Sequence, residues 1–174
     1  MGGKIVRKYP TDLPKRKPSN RLPGYDYCQP GAYFITICTH KMHNLFGAID
    51  ENRVVLNTLG KIVESEWYRT AKLRANIEIF GDEFIIMPNH FHGIVWILDV
   101  GATEPVARSN TESIHPISLG IIIGQFKSQV TRRINQIRRK PGQPVWQRNY
   151  YDRIIRNIKE LNDIRKYIEN NPYK

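Results

Sequence analysis

The chain of 174 residues, 40% of them hydrophobic, is long enough to bury the core of one compact domain. Its 27 Lys and Arg residues against 16 Asp and Glu give a formal net charge of +11, which favours nucleic acid over a membrane or an acidic protein as partner. No apolar stretch approaches the roughly 20 residues that span a bilayer, and Cys28 and Cys38 indicate neither a disulfide framework nor a zinc finger, so we expect a soluble, cytoplasmic protein.

Residues 1–21 are predicted to be a basic N-terminal arm, and residues 22–174 a single domain. From Lys4 to Arg21 the chain carries seven basic residues against Asp12 alone, with prolines at positions 10, 14 and 18. Apolar periodicity is almost absent there, as in segments that do not fold by themselves. Such an arm either contacts DNA or is a solvated tail, and its composition leaves both interpretations open.

The first half of the domain shows strand patterns followed by a helix pattern. A first strand begins near Ala32, where aromatic and β-branched residues follow the turn at Pro30-Gly31. Two shorter strands, over residues 45–49 and 54–56, flank a polar turn. Apolar residues then recur at helical spacing over residues 58–73, which predicts a helix that lies on the sheet.

Two further strands are predicted over residues 77–87, with a break at Gly81-Asp82, and over residues 91–98. Residues 101–115 are polar and aperiodic, which is typical of a loop. A long helix then runs from a cap at Ser118 to about Arg139, because its apolar residues are spaced by three and four.

An extended piece over residues 145–155 leads to a last helix from about Ile158, where Asn157 and Glu160 have the spacing of a capping box. Pro172 is expected to end that helix. Strands, a helix, more strands and then helices together predict an α+β fold, with an antiparallel sheet of four to five strands sandwiched by helices.

His90-Phe91-His92 is the sharpest local feature of the sequence. Alternate residues of a strand point to the same face, so the two imidazoles stand side by side while Phe91 enters the opposite layer. Two nitrogens aimed at one point suit a divalent metal that has further ligands and an open position. Histidines at this spacing also occur as surface or packing residues, so the pair alone does not decide between the two interpretations.

The segment from Met87 to Val95, with His90 and His92 inside it, resembles the histidine-hydrophobe-histidine signature of the HUH single-strand endonucleases. Within that superfamily the chain is similar to the REP-associated tyrosine transposases and small insertion-sequence transposases, from about Arg21 to its C-terminus. The resemblance is carried by four further segments, at residues 21–27, 126–128, 145–156 and 167–172.

The resemblance implies a ferredoxin-like sheet flanked by helices, and a tyrosine that attacks a DNA phosphate to leave a 5′-phosphotyrosine and a free 3′-hydroxyl. The matching tyrosine is Tyr167, which precedes the Asn-Pro helix end. The implied metal is Mg²⁺ or Mn²⁺, bound by His90, His92 and a polar residue one helical turn after the nucleophile, which is Asn171 here.

Some of these assignments have competitors within the chain. Asp82 or Glu83 is an alternative source of the third metal ligand, because Pro172 disfavours helical geometry at Asn171. Tyr167 also has apolar neighbours at core spacing, so packing against the sheet is its structural alternative. Tyr150 and Tyr151 are rival nucleophiles, and Arg153 stands where the family often has a histidine.

Basic residues are concentrated between residues 125 and 156, nine of them against Asp152 alone. A phosphate-contacting surface is therefore predicted, although a solvated helix face remains the plain alternative. Aromatic side chains in the same region are candidates for stacking on unpaired bases. The predicted DNA-binding residues are Lys127, Arg132, Arg133, Arg138, Arg148, Tyr151, Arg153 and Arg156.

Members of the resembled family act on single-stranded DNA that contains imperfect hairpins, and several insertion-sequence relatives work as dimers. The resemblance therefore implies a metal-dependent single-strand endonuclease and strand transferase. It leaves the oligomeric state open between a monomer and a homodimer. Two other functions stay open at this point. One is a nucleic-acid-binding module without chemistry, and the other is a phosphodiesterase that uses a metal-bound water.

Overall fold

The computed structural model describes residues 22, 24–99 and 117–173. The predicted arm at residues 1–21 and the predicted loop at residues 101–115 lie outside the described residues. The described elements, in chain order, are β1 (Gly31–Cys38), β2 (Gly47–Asp50), β3 (Arg53–Leu56), α1 (Thr58–Lys72), β4 (Ile77–Glu78), β5 (Phe84–Met87), β6 (His90–Ile97), α2 (Leu119–Arg138), β7 (Tyr151–Ile155) and α3 (Ile158–Glu169). Short 3-10 turns cover His40–Met42 and Asn171–Tyr173.

Five strands form one antiparallel sheet, in which β6 and β1 are central and β7 lies at one edge. Both β4 and β5 pair with β6 at the other edge, on either side of the turn at Gly81-Asp82, so the predicted break in this strand is confirmed. The hairpin of β2 and β3 forms a small second sheet. With helices packed on it, this sheet confirms the predicted α+β class.

The two faces of the sheet are covered by different helices. Helices α1 and α2 pack on one face over the larger hydrophobic cluster, which contains Trp67, Phe91 and Phe126. Helix α3 packs on the other face over a smaller cluster, through Leu161, Ile164 and Ile168. The larger cluster holds most of the buried apolar side chains and so supplies most of the hydrophobic stabilisation.

Strand β6 connects the two layers, because its residues alternate between them. Phe91 and Val95 enter the larger cluster, and Ile94 belongs to the smaller one beneath α3. Gly93 must be glycine, because a Cβ there would approach the rings of Phe91 at 2.8 Å and Trp67 at 3.0 Å. Close packing on this side of β6 thus leaves the opposite side, which faces α3, for polar side chains.

Helix ends account for the places where the structure departs from the sequence expectation. Ser118 occupies the N-cap position of α2, but its side chain makes no capping hydrogen bond. Asn157 does cap α3, because its side chain accepts from the Glu160 backbone N–H at 2.9 Å. Helix α3 ends at Glu169, so the expectation that Asn171 continues the helix one turn after Tyr167 is wrong. The extended piece at residues 145–155 is also shorter as a strand, since only Tyr151–Ile155 pairs continuously.

Candidate active site

His90 and His92 stand together on the face of the sheet that α3 covers. His90 is the first residue of β6, and its ring centroid lies 4.6 Å from that of His92, with the two planes at 75°. Phe91 between them enters the opposite layer, as the alternation of the strand predicts. The two imidazoles therefore converge on one point.

A side-chain oxygen holds the Nδ1 atom of each histidine. His92 Nδ1 lies 2.8 Å from the hydroxyl of Thr36 on the neighbouring strand β1, and His90 Nδ1 lies 2.7 Å from the amide oxygen of Asn89. Because an amide oxygen only accepts, His90 donates from Nδ1 and keeps its Nε2 lone pair available. Oxygen partners of this kind orient metal-binding histidines in many proteins.

Burial keeps both imidazoles uncharged. It lowers the pKa of His90 to about 4, against a hydrogen bond with Asn171 that acts in the raising direction. Burial and, to a smaller extent, the neighbouring His90 together lower the pKa of His92, which is 5% exposed, to about 3. At neutral pH each ring therefore keeps one N–H and has one nitrogen lone pair that can bind a metal.

Tyr167 reaches this pair from α3. Its hydroxyl lies 3.3 Å from His92 Nε2, and its ring meets the ring of His92 edge to face at a centroid distance of 5.2 Å. Phe34 of β1 stacks on the other side of His92 and also contacts the tyrosine ring. Tyr167 is 37% exposed, so part of this residue is accessible from outside the site.

Asn171 completes the cluster although it lies beyond the helix. The 3-10 turn after α3 carries its side chain to His90, with which it forms a hydrogen bond, and leaves it 7% exposed. The donor set is thus two imidazole nitrogens and one amide oxygen. A group of three or more His, Cys, Asp or Glu side chains placed to hold a metal does not occur within residues 22, 24–99 and 117–173.

Glu83, one of the two alternative ligands beside Asp82, is engaged elsewhere. It is fully buried, and its Oε2 accepts from Trp96 Nε1 at 2.6 Å. Its Oε1 accepts from Arg165 of α3, through Nε at 2.9 Å and through Nη2. This ion pair ties the helix that carries Tyr167 to the edge of the sheet. No local pattern predicts this pair, because the two partners are 82 residues apart.

The fold is shared with a solved transposase structure. The chain superposes on the structure of a REP-associated tyrosine transposase bound to a REP hairpin with a TM-score of 0.56, covering 88% of this chain and 72% of that one, at 17% sequence identity. No protein-family model matches the chain.

A relative in sequence is an uncharacterized protein of Haemophilus influenzae. It is 37% identical over 182 residues, which cover 97% of this chain and 94% of the relative. The chain belongs to the family of that protein. We therefore describe this family member as having the REP-associated tyrosine transposase fold.

In this family member, two of the predicted DNA-binding residues lie on the face of the sheet that carries His90 and His92, which we call the histidine face. Tyr151 of β7 pairs with Thr36, the residue that holds His92, and Arg153 pairs with Phe34. Arg153 is exposed and forms an ion pair with Glu160 at 3.2 Å. Arg156 is exposed just beyond β7.

The other predicted cations lie on or near α2, in the opposite layer, and several are engaged within the protein. Lys127 Nζ donates to the backbone oxygens of residues 147–149 at 2.8, 3.1 and 3.3 Å. Arg133 donates to the buried Glu66 of α1 at 2.7 Å. Arg138 is partly buried, whereas Arg132 and Arg148 are exposed.

Among the described helices, none is long and apolar enough to cross a membrane.

Proposed function

We propose that the protein is a tyrosine transposase, a metal-dependent endonuclease and strand transferase that acts on single-stranded DNA containing hairpins. One observation carries the proposal: the Tyr167 hydroxyl lies 3.3 Å from Nε2 of a histidine that belongs to a buried, converging pair. The shared fold supports it, since the matching transposase structure holds a REP hairpin.

The proposed reaction exchanges one ester for another. The Tyr167 oxygen forms a bond to the phosphorus, the bond from phosphorus to the 3′-oxygen breaks, and the DNA remains on the enzyme as a 5′-phosphotyrosine. The tyrosine hydroxyl loses a proton and the departing 3′-oxygen gains one, so charge and atoms balance. Because the new ester retains the energy of the old one, a strand end can be rejoined without a nucleotide cofactor.

His90, His92 and Asn171 would hold the metal. Two imidazoles and one amide oxygen form a mixed nitrogen and oxygen set that suits Mn²⁺ and, less well, Mg²⁺. When bound, the metal supplies a Lewis acid that polarises the scissile phosphate. Thr36 and Asn89 orient the imidazoles, and burial keeps both rings uncharged at the pH at which DNA is processed.

One chain brings all of these groups together. Only Arg156 and Asn157 separate β7 from α3, and the ion pair between Glu83 and Arg165 holds that helix on its own sheet. The proposed chemistry is therefore complete within a monomer. A homodimer remains a prediction, and it is not required for the nucleophile to reach the histidines.

A cleavage assay with labelled hairpin oligonucleotides and Mn²⁺ or Mg²⁺ tests the proposal. We expect His90→Ala and His92→Ala to abolish cleavage while DNA affinity stays within about twofold, because phosphate contacts supply most of the binding energy. His43→Ala, which changes an exposed histidine near the same end of β1, is the matched control.

Tyr167→Phe separates the alternatives in the same assay. Loss of cleavage supports the tyrosine mechanism, and undiminished cleavage would instead support a metal-bound water as nucleophile. Binding without cleavage by the native protein, on every hairpin tried and with either metal, would favour a binding module without chemistry. Tyr68→Phe, on the far layer, controls for the loss of a tyrosine hydroxyl.

A further inference from the structure

Tyr151 lies beside the histidine pair, on the same face of the sheet. It is the first residue of the edge strand β7 and pairs directly with Thr36 of β1, whose side chain forms a hydrogen bond with His92. Directly paired residues of an antiparallel sheet share a face, so the Tyr151 side chain lies on the histidine face. Arg153, two residues further along β7, has the same orientation and forms an ion pair with Glu160 of α3.

The ring of Tyr151 does not build the core. Tyr151 is partly buried and packs against neither of the two hydrophobic clusters among the described residues. The preceding residue, Tyr150, packs against the larger cluster. Each of the other tyrosine side chains that the structure describes either belongs to that cluster or contacts another aromatic ring. Of the described tyrosines, Tyr151 alone has neither contact.

A cation accompanies this ring on the histidine face. The Arg153 side chain is 61% exposed, and its partner Glu160 lies 3.2 Å away. An exposed ion pair contributes little stability, so a phosphate can take the place of the carboxylate at the guanidinium. An accessible aromatic ring next to an accessible cation is the combination with which proteins bind single strands, the ring for a base and the cation for the backbone.

The distance from Tyr151 to the histidines suits a nucleotide. Thr36 pairs with His92 on one side and with Tyr151 on the other, so the three residues form one row across the sheet. Two strand spacings, roughly 10 Å, separate the backbones of Tyr151 and His92. A nucleotide whose phosphate lies at the histidine pair can place its base, through the intervening sugar, at such a distance. Unlike that of Tyr167, the Tyr151 hydroxyl makes no hydrogen bond to either histidine.

We propose that Tyr151 stacks on the unpaired base of a nucleotide next to the scissile phosphate. Stacking holds that nucleotide in place, with its phosphodiester bond over the histidine pair, while Arg153 contacts an adjoining phosphate. Every base has a π face, so the contact tolerates any sequence. A base inside a duplex has both faces covered by its neighbours, so the contact selects an unpaired base. The choice of DNA as the ligand rests on the function proposed above.

Binding measured in the presence of a chelator tests the proposal separately from cleavage. The probes are hairpin oligonucleotides with unpaired flanks of ten nucleotides, in which an abasic residue replaces each flank position in turn. We expect Tyr151→Ala to weaken binding of the intact probe by about 5- to 150-fold, the range for loss of one stacked base. At one flank position, the abasic probe should bind the native protein and Tyr151→Ala equally, because the base that would stack is absent.

Two further variants separate stacking from other roles of Tyr151. Tyr151→Phe keeps the ring and should restore both the affinity and its dependence on the base. Tyr68→Ala is the matched control, because it removes a partly exposed tyrosine from α1 on the opposite layer, and it should bind every probe as the native protein does. The proposal is overturned if Tyr151→Ala weakens the intact and all abasic probes by one factor, if it weakens none, or if Tyr151→Phe is as weak as Tyr151→Ala.

The contact of Arg153 with phosphate has its own test. Arg153→Gln should reduce the slope of log affinity against log salt by about 0.7, the value for one phosphate contact to a single strand. An unchanged slope, matching that of Lys61→Gln on α1, would contradict this contact.

The two proposals fail in different ways. A base contact that depends on Tyr151 in chelator, without cleavage of any probe in Mn²⁺, would leave the stacking supported and overturn the transposase chemistry. A covalent adduct on Tyr167, with no flank position that depends on Tyr151, would do the reverse. Where both hold, mapping of the cleaved bond should place it within one nucleotide of the stacked base, and a more distant bond would overturn the proposed position of Tyr151 on the strand.

Discussion

The two faces of the sheet are built on different principles. The face beneath α1 and α2 is a continuous apolar layer in which Trp67, Phe91 and Phe126 contact one another at centroid distances between 4.7 and 5.6 Å. The face beneath α3 has a smaller apolar cluster and, beside it, the two histidines with Tyr167 and Asn171. Strand β6 contributes to both. The comparison indicates that one layer stabilises the fold while the other is free to carry polar chemistry.

The largest effect on stability is expected from the apolar layer. Phe126→Ala should reduce the free energy of unfolding by about 3 to 5 kcal/mol, because it leaves a cavity between Trp67, Phe91 and Trp146. Phe34→Leu, on the histidine face, should cost much less stability but impair DNA cleavage, since Phe34 stacks on His92. Urea unfolding and cleavage rates measured on both variants check the contrast. Equal stability losses would show that the faces are not divided in this way.

The next largest effect should come from the ion pair that anchors α3. Arg165→Met leaves the Glu83 carboxylate buried without its cation, so we expect a loss of about 3 kcal/mol in the free energy of unfolding. Arg153→Met is the control, because its partner Glu160 is at the surface, and it should cost much less stability. If the two variants unfold at the same urea concentration, Glu83 and Arg165 do not anchor the helix.

A smaller effect is expected from the residue that orients His92. Thr36→Val removes the hydroxyl 2.8 Å from His92 Nδ1 and should weaken Mn²⁺ binding by about 10- to 100-fold, as loss of such partners does at other metal sites. Thr36→Ser restores the hydroxyl and should recover most of the affinity. Calorimetric titration with Mn²⁺ measures both. Native affinity in the valine variant would show that the hydroxyl does not orient the ring.

The smallest effect concerns the acid stability of the metal-free protein. The pKa values of His90 and His92 are lowered to about 4 and 3, so below pH 6.5 the unfolded chain binds protons that the folded protein does not. The free energy of unfolding should therefore fall as the pH drops from 6.5 towards 4. His92→Gln should lessen this fall by about 1 kcal/mol between pH 6.5 and 5.5. His43→Gln is the control, and an identical pH dependence in both variants would contradict the buried, neutral state of His92.

The sequence predicted the features that depend on the spacing of neighbouring residues. Period-two alternation at His90-Phe91-His92 placed both imidazoles on one face, and period-three-and-four spacing identified α1 and α2. Tyr167 was found through the resemblance, since its apolar helix neighbours alone favour packing.

Contacts between distant residues were not predictable in the same way. Thr36 and His92, which contact each other, are 56 residues apart in the sequence, and Glu83 and Arg165 are 82 residues apart. Nothing in the charge pattern distinguishes Lys127, which binds backbone oxygens, from the exposed Arg132 on the same helix. The position of Asn171 was expected for the wrong reason, because a 3-10 turn and not a continued helix carries it to His90.

In the proposed reaction Tyr167 forms the covalent bond to DNA. Incubation with a hairpin oligonucleotide and Mn²⁺, followed by denaturation, proteolysis and mass spectrometry of the DNA-linked peptide, tests it most directly. We expect a single peptide that carries a 5′-phosphate-linked nucleotide on Tyr167, and no such peptide from Tyr167→Phe. An adduct on Tyr150 or Tyr151, or cleavage with no adduct on any tyrosine, would contradict it.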